Sequence, residues 1–358
     1  MAGQHCVVLG AGLMGRLMAW RLSLQGHHVQ LHEAQAQELQ GSAAWVAAAM
    51  LAPLAESAIT EMNVVGMGVY GLKRWPELLA QLDQSVFFQQ AGTLVVWHRQ
   101  DATLARHFSD KLAQTQKHLP ESDAYQEVDS SALHQLEPML AGTFHQAMFL
   151  PGEGQLDNRQ LLDALMHQLQ NSLVQMHFES VVSPEQFSQA DWVIDCRGTG
   201  ARGDWPALRG VRGEVLRVHA PEVKLSRPVR LIHPRYPLYI APKPDGVFVI
   251  GATEIESDDT SPASVRSSLE LLSAAYSIHK GFGEARILEI NAQIRPTLPD
   301  NLPAIRLHGH KSMQINGLYR HGFLIAPAML DASLALMSGN KQTAQSLGIR
   351  VVEDNAAC

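Results

Sequence analysis

Residues 5–33, HCVVLGAGLMGRLMAWRLSLQGHHVQLHE, decide the fold of this chain. An apolar run, a Gly-x-Gly-x-x-Gly turn, a helical pattern and a second short run are typical of a dinucleotide-binding fold. Gly10 allows the tight turn, Gly12 lets the backbone approach a pyrophosphate, and Gly15 lets the helix pack closely on the strand. Glu33 stands about where an acidic side chain accepts hydrogen bonds from a ribose. The segment predicts a dinucleotide-binding domain but leaves open which dinucleotide it holds.

The composition is that of an ordinary globular protein. The chain has 358 residues, of which 46% are hydrophobic and 18% charged, and its formal net charge is −7. This mild acidity, without any basic run, argues against nucleic acid or an anionic membrane surface as a partner. The longest run of low polarity, residues 43–55, contains Pro53 and is too short to span a bilayer.

The cysteines and histidines suggest neither a disulfide framework nor a metal site. Cys6, Cys196 and Cys358 are far apart in the sequence, which fits a reducing, cytoplasmic location. The 17 histidines include no His-Glu-x-x-His motif and no Cys/His set. We therefore expect no bound metal.

The rest of the chain alternates between two kinds of pattern. Helical spacing marks residues 60–82, 101–118, 157–173 and 262–278, and a final helix is expected from about Pro327 to Met337. Alternation typical of antiparallel strands marks residues 211–218, 229–232, 237–242 and 246–251. The chain is longer than the chains that usually fold around a single hydrophobic core, so two domains are expected. Because the two kinds of pattern alternate along the chain, we expect the domains to be interleaved.

Several segments together resemble the D-amino-acid oxidase superfamily of flavoproteins, and within it the glycine oxidases of thiamine biosynthesis. The fingerprint and Glu33 are similar to the start of the FAD-binding fold. The other matching segments follow in the family's order: Ala47-Ala-Ala-Met-Leu-Ala-Pro53, Tyr239-Ile-Ala-Pro-Lys243, Val249-Ile-Gly-Ala-Thr253, Arg295-Pro-Thr-Leu-Pro-Asp300 and Gly317-Leu-Tyr-Arg-His-Gly322. The resemblance covers essentially the whole chain.

The resemblance implies an α/β protein in which a Rossmann-like FAD-binding domain is interleaved with a substrate domain on a largely antiparallel sheet. The expected FAD-binding parts are residues 1–82, 145–207 and 298–358. The expected substrate-binding parts are residues 83–144 and 208–297. The implied reaction is oxidation of glycine, and often sarcosine or small D-amino acids, to an imine by hydride transfer to flavin N5. Oxygen then gives hydrogen peroxide, and the imine enters thiazole formation or hydrolyses to glyoxylate.

A substrate carboxylate calls for a charged, forked partner, which arginine provides and lysine does not. The resemblance implies that Arg295 is this partner, with Tyr239 donating a second hydrogen bond and Arg320 contacting substrate or flavin. We expect these three side chains to be the catalytic set. Met50 and Glu254 complete the predicted substrate contacts, and an inward Glu254 would repel acidic side chains. The alternative for Glu254 is an outward position in an acidic loop.

The resemblance also implies a non-covalent FAD site, since no cysteine is placed to tether the flavin. Its predicted residues are Gly10, Gly12, Leu13, Met14, Gly15, Glu33, Ala34, Ala43, Ala44, Ala48, Ala49, Met50, Val182, Gly198, Leu318, Tyr319, Arg320, His321, Gly322, Phe323 and Leu324. Ala43 and Ala44 stand where relatives can carry hydroxyl residues, so backbone amides are expected to make those contacts. The positive end of the helix near Pro327 is expected to face the negative charge of the reduced flavin, helped by the amides of residues 322–324.

Three alternatives stay open at this point. A D-amino-acid dehydrogenase would pass its electrons to a quinone instead of oxygen. A NAD-dependent dehydrogenase would share the fingerprint but not the late Arg320 motif. A non-catalytic nucleotide-binding protein would not need Tyr239, Arg295 and Arg320. The expected partners are a small amino acid and oxygen, and a homo-oligomer is left open.

Overall fold

The seven-stranded and eight-stranded sheets of this computed structural model are built from alternating parts of the chain. The structure describes residues 3–37, 41–119, 123–234, 238–309 and 311–354, so Cys358 and the first residue of the predicted strand 237–242 lie outside it. The strands are β1 (His5–Leu9), β2 (His28–His32), β3 (Met50–Leu51), β4 (Phe88–Gln89), β5 (Thr93–Val96), β6 (Gln126–Asp129), β7 (Gln146–Leu150), β8 (Gly154–Leu156), β9 (Gln175–His177), β10 (Trp192–Asp195), β11 (Arg209–His219), β12 (Val229–Leu231), β13 (Leu238–Pro242), β14 (Val247–Gly251), β15 (Arg286–Thr297), β16 (Ala304–His308), β17 (Ser312–Asn316) and β18 (Arg350–Asp354).

The helices of the described residues pack mainly around the first sheet. They are α1 (Leu13–Leu24), α2 (Ala43–Val46), α3 (Pro53–Glu56), α4 (Met62–Leu79), α5 (Ala102–Gln116), α6 (Ser130–Leu136), α7 (Asn158–Gln170), α8 (Val265–Ile278), α9 (Gly322–Met337) and α10 (Gln342–Ser346). The largest hydrophobic core joins α1, α4, α7 and α9 to the seven-stranded sheet. Met62, which the helical spacing predicts as a core residue, is exposed because α4 begins there.

The seven-stranded sheet has the order β18-β16-β17-β10-β1-β2-β9 and is parallel except where β16 pairs with β17. β1 is a continuous apolar run because both of its faces are covered, as in other parallel sheets. The eight-stranded sheet has the order β15-β11-β14-β13-β12-β5-β7-β6, and only β12 and β5 pair in parallel. A third sheet joins β3, β8 and β4. The mixed α/β class and the largely antiparallel second sheet agree with the sequence-based prediction.

The chain passes between the two large sheets several times. Strands of the seven-stranded sheet come from residues 5–32, 175–195 and 304–354, and those of the eight-stranded sheet come from residues 93–150 and 209–297. The FAD-binding part that was expected to begin at residue 145 includes β7. In the structure, β7 pairs with β5 and β6 and so belongs to the eight-stranded sheet. Its apolar residues are buried in that sheet, which explains the pairing. The division into an FAD-binding and a substrate-binding domain stays a proposal.

The last long helix begins five residues earlier than its sequence predicts. α9 starts at Gly322, so Pro327 lies inside the helix and not in its first turn. Proline has no N–H to donate to the carbonyl oxygen of residue 323. The helix therefore lacks one backbone hydrogen bond, which normally destabilises it. The indole Nε1 of Trp75 donates to that carbonyl oxygen at 2.8 Å and satisfies it. Trp75 of helix α4 therefore satisfies the carbonyl group that the proline leaves without a partner in α9.

A close approach between α4 and α9 gives a stability prediction. A Cβ at Gly71 would lie 2.1 Å from the carbonyl oxygen of Leu324, whereas a Cβ at Gly66 in the same helix meets nothing within 4 Å. We expect Gly71→Ala to cost about 1–3 kcal/mol or more of unfolding free energy, because backbone must move. Gly66→Ala should stabilise by about 0.5–1 kcal/mol. Denaturant unfolding of both variants tests this, and equal effects would contradict the packing.

Candidate active site

One cavity of about 540 Å³ runs between the turn after β1 and the end of β15. Its walls come from both large sheets, from the segment that follows Ser42 and from the start of α9. Every predicted site residue except Gly15 lines this cavity. Those residues are Gly10, Gly12, Leu13, Met14, Glu33, Ala34, Ala43, Ala44, Ala48, Ala49, Met50, Val182, Gly198, Tyr239, Glu254, Arg295, Leu318, Tyr319, Arg320, His321, Gly322, Phe323 and Leu324.

Gly15 has a packing role instead. An added Cβ there would lie 1.7 Å from the carbonyl oxygen of Gly10, so only glycine lets α1 approach β1 this closely. Gly10 itself has a φ of 89°, and a Cβ on it would press against the carbonyl oxygen of Cys196 at 2.8 Å. The amide of Ala11 donates to Glu33 Oε2 at 2.7 Å and ties the turn to the end of β2.

Two glycines leave room for a ligand. An added Cβ at Gly12 or at Gly322 would meet no protein atom within 4 Å, and both residues line the cavity. They stand at the starts of α1 and α9, where backbone N–H groups lack partners within the helix and the helix dipole favours negative charge. At two helix starts the cavity wall is therefore glycine backbone, where a ligand with negative charge can approach closely. This arrangement fits an extended dinucleotide such as FAD.

The alanine-rich loop before α3 is held by its backbone, since its side chains are too small to anchor it. Lys243 Nζ donates to the carbonyl oxygens of Ala48 at 2.8 Å and Leu156 at 2.7 Å, and to Gln155 Oε1 at 3.2 Å. Asn158 Nδ2 donates to the carbonyl oxygen of Trp45 at 2.7 Å. Ala49, which lines the cavity, has a φ of 52°, a left-handed conformation that such anchoring must maintain.

Lys243 gives a prediction about cofactor binding. Replacing it by methionine removes the donor of three hydrogen bonds, and each buried acceptor that is left unpaired costs about 1–3 kcal/mol. We expect Lys243→Met to weaken FAD binding about tenfold or more, because the loop that carries Ala48 loses its anchor. Lys224→Met, at an exposed lysine, is the control and should bind FAD normally. Titration of the apoprotein with FAD makes the comparison.

The same variant has a defined pH signature. Burial lowers the pKa of Lys243 from its ordinary value of 10.5 to about 7. Between those values the unfolded chain binds one more proton than the folded chain, so this group makes unfolding less favourable as pH rises. The unfolding free energy of the natural chain, minus that of Lys243→Met, should therefore increase between about pH 7 and pH 10. A flat difference would contradict the buried position.

Arg295 has no carboxylate partner among the described residues. Its Nη1 donates to the carbonyl oxygen of Thr253 at 3.1 Å, and the rest of the guanidinium lines the cavity. Gly213 makes room for it, since an added Cβ there would lie 2.2 Å from Nη2. Burial lowers the pKa of Arg295 below its ordinary value. Tyr239 lines the same wall, and burial raises the pKa of its hydroxyl, which therefore stays a donor.

Arg320, in contrast, lies between two carboxylates. Its Nε is 3.2 Å from Glu56 Oε2, and its Nη1 donates to Glu254 Oε2 at 2.9 Å. Arg230 of β12 forms a buried ion pair with the same Glu56. Burial alone would raise the pKa of Glu56, but Arg320 and Arg230 hold it well below its usual range. Burial lowers the pKa of the neighbouring His321 to about 4, so that ring is neutral at physiological pH.

Glu254 points into this network and not into the acidic loop that follows it. Its Oε1 accepts from the Tyr319 hydroxyl and its Oε2 from Arg320, while 39% of the side chain stays exposed. Tyr319 has a φ of 50°, so the middle of the 317–322 motif is held in a conformation that non-glycine residues rarely adopt. Glu254 lines the cavity in this structure, and its contact with the substrate stays a proposal.

Sequence reasoning missed several cavity-lining residues: Ser42, Glu56, Arg197, Arg230 and Gln293. One signal was available, because Arg230 stands between Val229 and Leu231 on a short strand, and an arginine in a buried run is unusual. Ser42 Oγ accepts from the amide of Trp45 at 3.2 Å and caps α2. A hydroxyl residue is thus present next to Ala43, where the sequence analysis expected backbone amides alone.

In the part of the chain that the structure describes, no helix is long and apolar enough to cross a bilayer. Within the same residues no three His, Cys, Asp or Glu side chains are grouped as metal ligands would be. Cys6 and Cys196 are free. Cys196 lines the cavity beside Gly10, and burial raises the pKa of its thiol well above the ordinary value.

Comparison with known proteins agrees with the architecture. A putative thiamine biosynthesis oxidoreductase ThiO of Rhizobium etli is 46% identical over 238 residues, which are 66% of this chain and 69% of that protein. A D-amino acid oxidase of Dugesia ryukyuensis is 32% identical over 106 residues, 29% of this chain and 30% of that protein. The crystal structure of glycine oxidase from Bacillus cereus has a TM-score of 0.80 at 19% identity, covering 96% of this chain and 97% of its own.

A second solved structure shares the fold to the same degree. Iminodiacetate oxidase from Chelativorans sp. BNC1 has a TM-score of 0.80 at 20% identity, and the match covers 94% of this chain and 95% of that chain. Residues 5–330 match the family described as DAO: FAD dependent oxidoreductase. The chain therefore belongs to the DAO family of FAD-dependent oxidoreductases, and its cofactor is FAD.

Proposed function

We propose that this protein is an amino acid oxidase that converts glycine, and with it sarcosine or small D-amino acids, to the corresponding imine, releasing hydrogen peroxide. Hydrolysis of glycine's imine gives glyoxylate, and the likeness to the Rhizobium ThiO supports a role in thiamine thiazole synthesis. The observation that carries the proposal is Arg295, a half-buried guanidinium that lines the cavity without a carboxylate of its own among the described residues.

In this proposal Arg295 binds the substrate carboxylate through a charge-assisted, forked contact. The carboxylate offsets the cost of burying the guanidinium, which the single bond to Thr253 does not. Tyr239, whose pKa burial raises, donates its hydroxyl to the same carboxylate. Arg320 is held by Glu56 and Glu254, so it keeps one orientation and presents its remaining N–H groups to the cavity.

The described side chains around the substrate end offer no free general base. Arg230 and Arg320 keep Glu56 ionised with a low pKa, which makes it a weak base, and both oxygens of Glu254 already accept hydrogen bonds. Burial raises the pKa of Tyr319, so its phenol stays protonated. The substrate amine must therefore bind in its neutral form, and the protein contributes position and electrostatics.

At the cofactor end, Gly10, Gly12 and the start of α1 would hold the pyrophosphate, and Glu33 the ribose. The start of α9, with the amides of residues 322–324, would face the pyrimidine side of the flavin and favour negative charge there. When bound, FAD supplies the two-electron acceptor and returns the electrons to oxygen. We propose that FAD is held non-covalently, because Cys196, the cavity-lining cysteine of the described residues, lies beside Gly10 at the turn proposed to hold the pyrophosphate.

A substrate panel tests the function. The purified holoprotein is mixed in air with glycine, sarcosine, D-alanine and L-alanine, and hydrogen peroxide is measured with an independent assay of the keto acid. We expect peroxide and glyoxylate in equal amounts from glycine. Dye reduction without peroxide would favour the alternative, an FAD-dependent D-amino-acid dehydrogenase with a quinone-type acceptor. No turnover of any of the four would overturn the proposal.

We also propose a cytoplasmic protein that forms a homo-oligomer. The two described cysteines are free, which fits a reducing compartment. The edge strand β15 exposes apolar side chains, with Ile287 at 49% and Leu288 at 51%, and a second copy would cover them. Sedimentation of the natural chain and of Leu288→Lys tests the assembly, and a monomer in both would overturn it.

A further inference from the structure

We propose that Glu254 sets the charge class of the substrate, admitting amino acids with one carboxylate and excluding those with two. This inference rests on the proposed oxidase function and adds to it the group that recognises the rest of the substrate. Arg295 faces the carboxylate that all amino acids share, so it cannot distinguish among them. Glu254 is a second charged group on the same cavity wall.

The position of Glu254 places its charge next to the carboxylate-binding arginine. Its neighbour in the chain, Thr253, accepts the 3.1 Å hydrogen bond from Arg295 Nη1. Its own carboxylate accepts from Arg320 Nη1 at 2.9 Å and from the Tyr319 hydroxyl, and 39% of the side chain is exposed. The negative charge therefore lies at the edge of the open part of the cavity.

Glu254 is fixed in this position by the backbone that follows it. Ile255 and Arg212 form an antiparallel bridge, with the amide of Arg212 donating to the carbonyl oxygen of Ile255 at 2.8 Å and the amide of Ile255 donating back at 3.0 Å. With its backbone bridged and both carboxylate oxygens bonded, the side chain cannot turn away without losing these contacts. A substrate has to accommodate the charge where it is.

The charges around the substrate end leave room for one carboxylate. The positive groups are Arg230, Arg295 and Arg320, the negative groups are Glu56 and Glu254, and His321 is neutral because burial lowers its pKa to about 4. The site thus carries one net positive charge. The carboxylate of glycine neutralises it when the amine is neutral.

A second carboxylate would find no unpaired arginine among these groups. Arg320 already forms ion pairs with two glutamates, so the second carboxylate could reach it only by displacing Glu254 or by lying beside Glu254. Like charges that lie side by side repel each other, and a binding site commonly uses such repulsion to reject the wrong ligand. Neutralising Glu254 should therefore admit dicarboxylates without any change of shape.

The binding test uses non-reactive acids and the holoprotein. Acetate and malonate are titrated into the natural chain, Glu254→Gln and Glu256→Gln, and each Kd is read from the change in flavin absorbance. Glutamine at 254 can keep both contacts, since its oxygen accepts from Arg320 and its amide donates to the Tyr319 hydroxyl. Glu256 is the matched control, because it is in the same loop but pairs with Arg209 and does not line the cavity.

We expect Glu254→Gln to improve malonate binding relative to acetate by about tenfold or more, and Glu256→Gln to leave the ratio unchanged. A ratio that stays within twofold in Glu254→Gln, or that rises equally in both variants, would overturn the inference. The kinetic counterpart compares kcat/KM for iminodiacetate and D-aspartate with that for glycine, and the same rise is expected. If glycine is not oxidised at all, the proposed function fails, while the Kd ratio still decides the role of Glu254.

Discussion

Replacing Arg295 by alanine should lower kcat/KM for glycine by about a hundredfold to a thousandfold while FAD stays bound. The loss is large because the substrate carboxylate would be buried without its charged partner, which costs about 2–5 kcal/mol in comparable pairs. Arg295→Lys keeps the charge but not the fork, so we expect an intermediate loss. Steady-state kinetics of each variant, together with its flavin spectrum, provide the measurement.

Two further variants make this result specific. Gly213→Ala leaves Arg295 in the sequence but displaces its guanidinium, because the new methyl group would lie 2.2 Å from Nη2. Gly213→Ala should therefore lower kcat/KM for glycine, as Arg295→Ala does. Arg209→Ala removes an arginine of the same strand pair that bonds Glu256 and Asn301 away from the cavity. Equal kinetics for Arg209→Ala and Arg295→Ala would contradict the carboxylate assignment.

Replacing Gly12 by valine should weaken FAD binding by about a hundredfold or more while the apoprotein keeps its fold. The backbone at Gly12 has room for a side chain to begin, since its φ is −67° and an added Cβ meets no protein atom within 4 Å. We expect the unfolding free energy of the apoprotein to change by no more than about 1 kcal/mol. A loss of affinity then reports on the ligand and not on the fold.

Gly203→Val is the control for this prediction. Gly203 is exposed, an added Cβ there also meets nothing within 4 Å, and the residue does not line the cavity. FAD titrations of the two apoproteins should differ strongly in Kd and little in stability. If Gly12→Val binds FAD as tightly as Gly203→Val, the turn after β1 does not hold the cofactor.

The sequence allowed good predictions where local chemistry decides the structure. The turn between β1 and α1 is found where the glycine spacing predicts it, because Gly10 and Gly15 are required by a positive φ and by a 1.7 Å approach. The short alternating strands of the second sheet were also found within one or two residues, from β11 to β14. Those strands have one clearly apolar face, so apolar and polar residues alternate along the sequence, and this alternation predicts a strand.

Other features depend on contacts between distant residues, and sequence patterns do not report them. β15, which carries Arg295, is the longest strand of the described residues. It lies at the edge of its sheet and few of its residues are buried, so apolar and polar residues alternate only weakly along it. α9 continues through Pro327, and Trp75, far away in the chain, satisfies the carbonyl of residue 323. The ion pair of Glu56 with Arg230 joins residues 174 positions apart, which no local pattern could reveal.

The most direct measurement is the reaction of the holoprotein with glycine in the absence of oxygen. We predict that glycine bleaches the flavin absorbance and that Arg295→Ala slows the bleaching at low glycine concentration. Air should then restore the colour, with one peroxide formed per glycine consumed. An FAD-containing protein whose absorbance is unchanged by glycine, sarcosine and D-alanine would contradict this prediction.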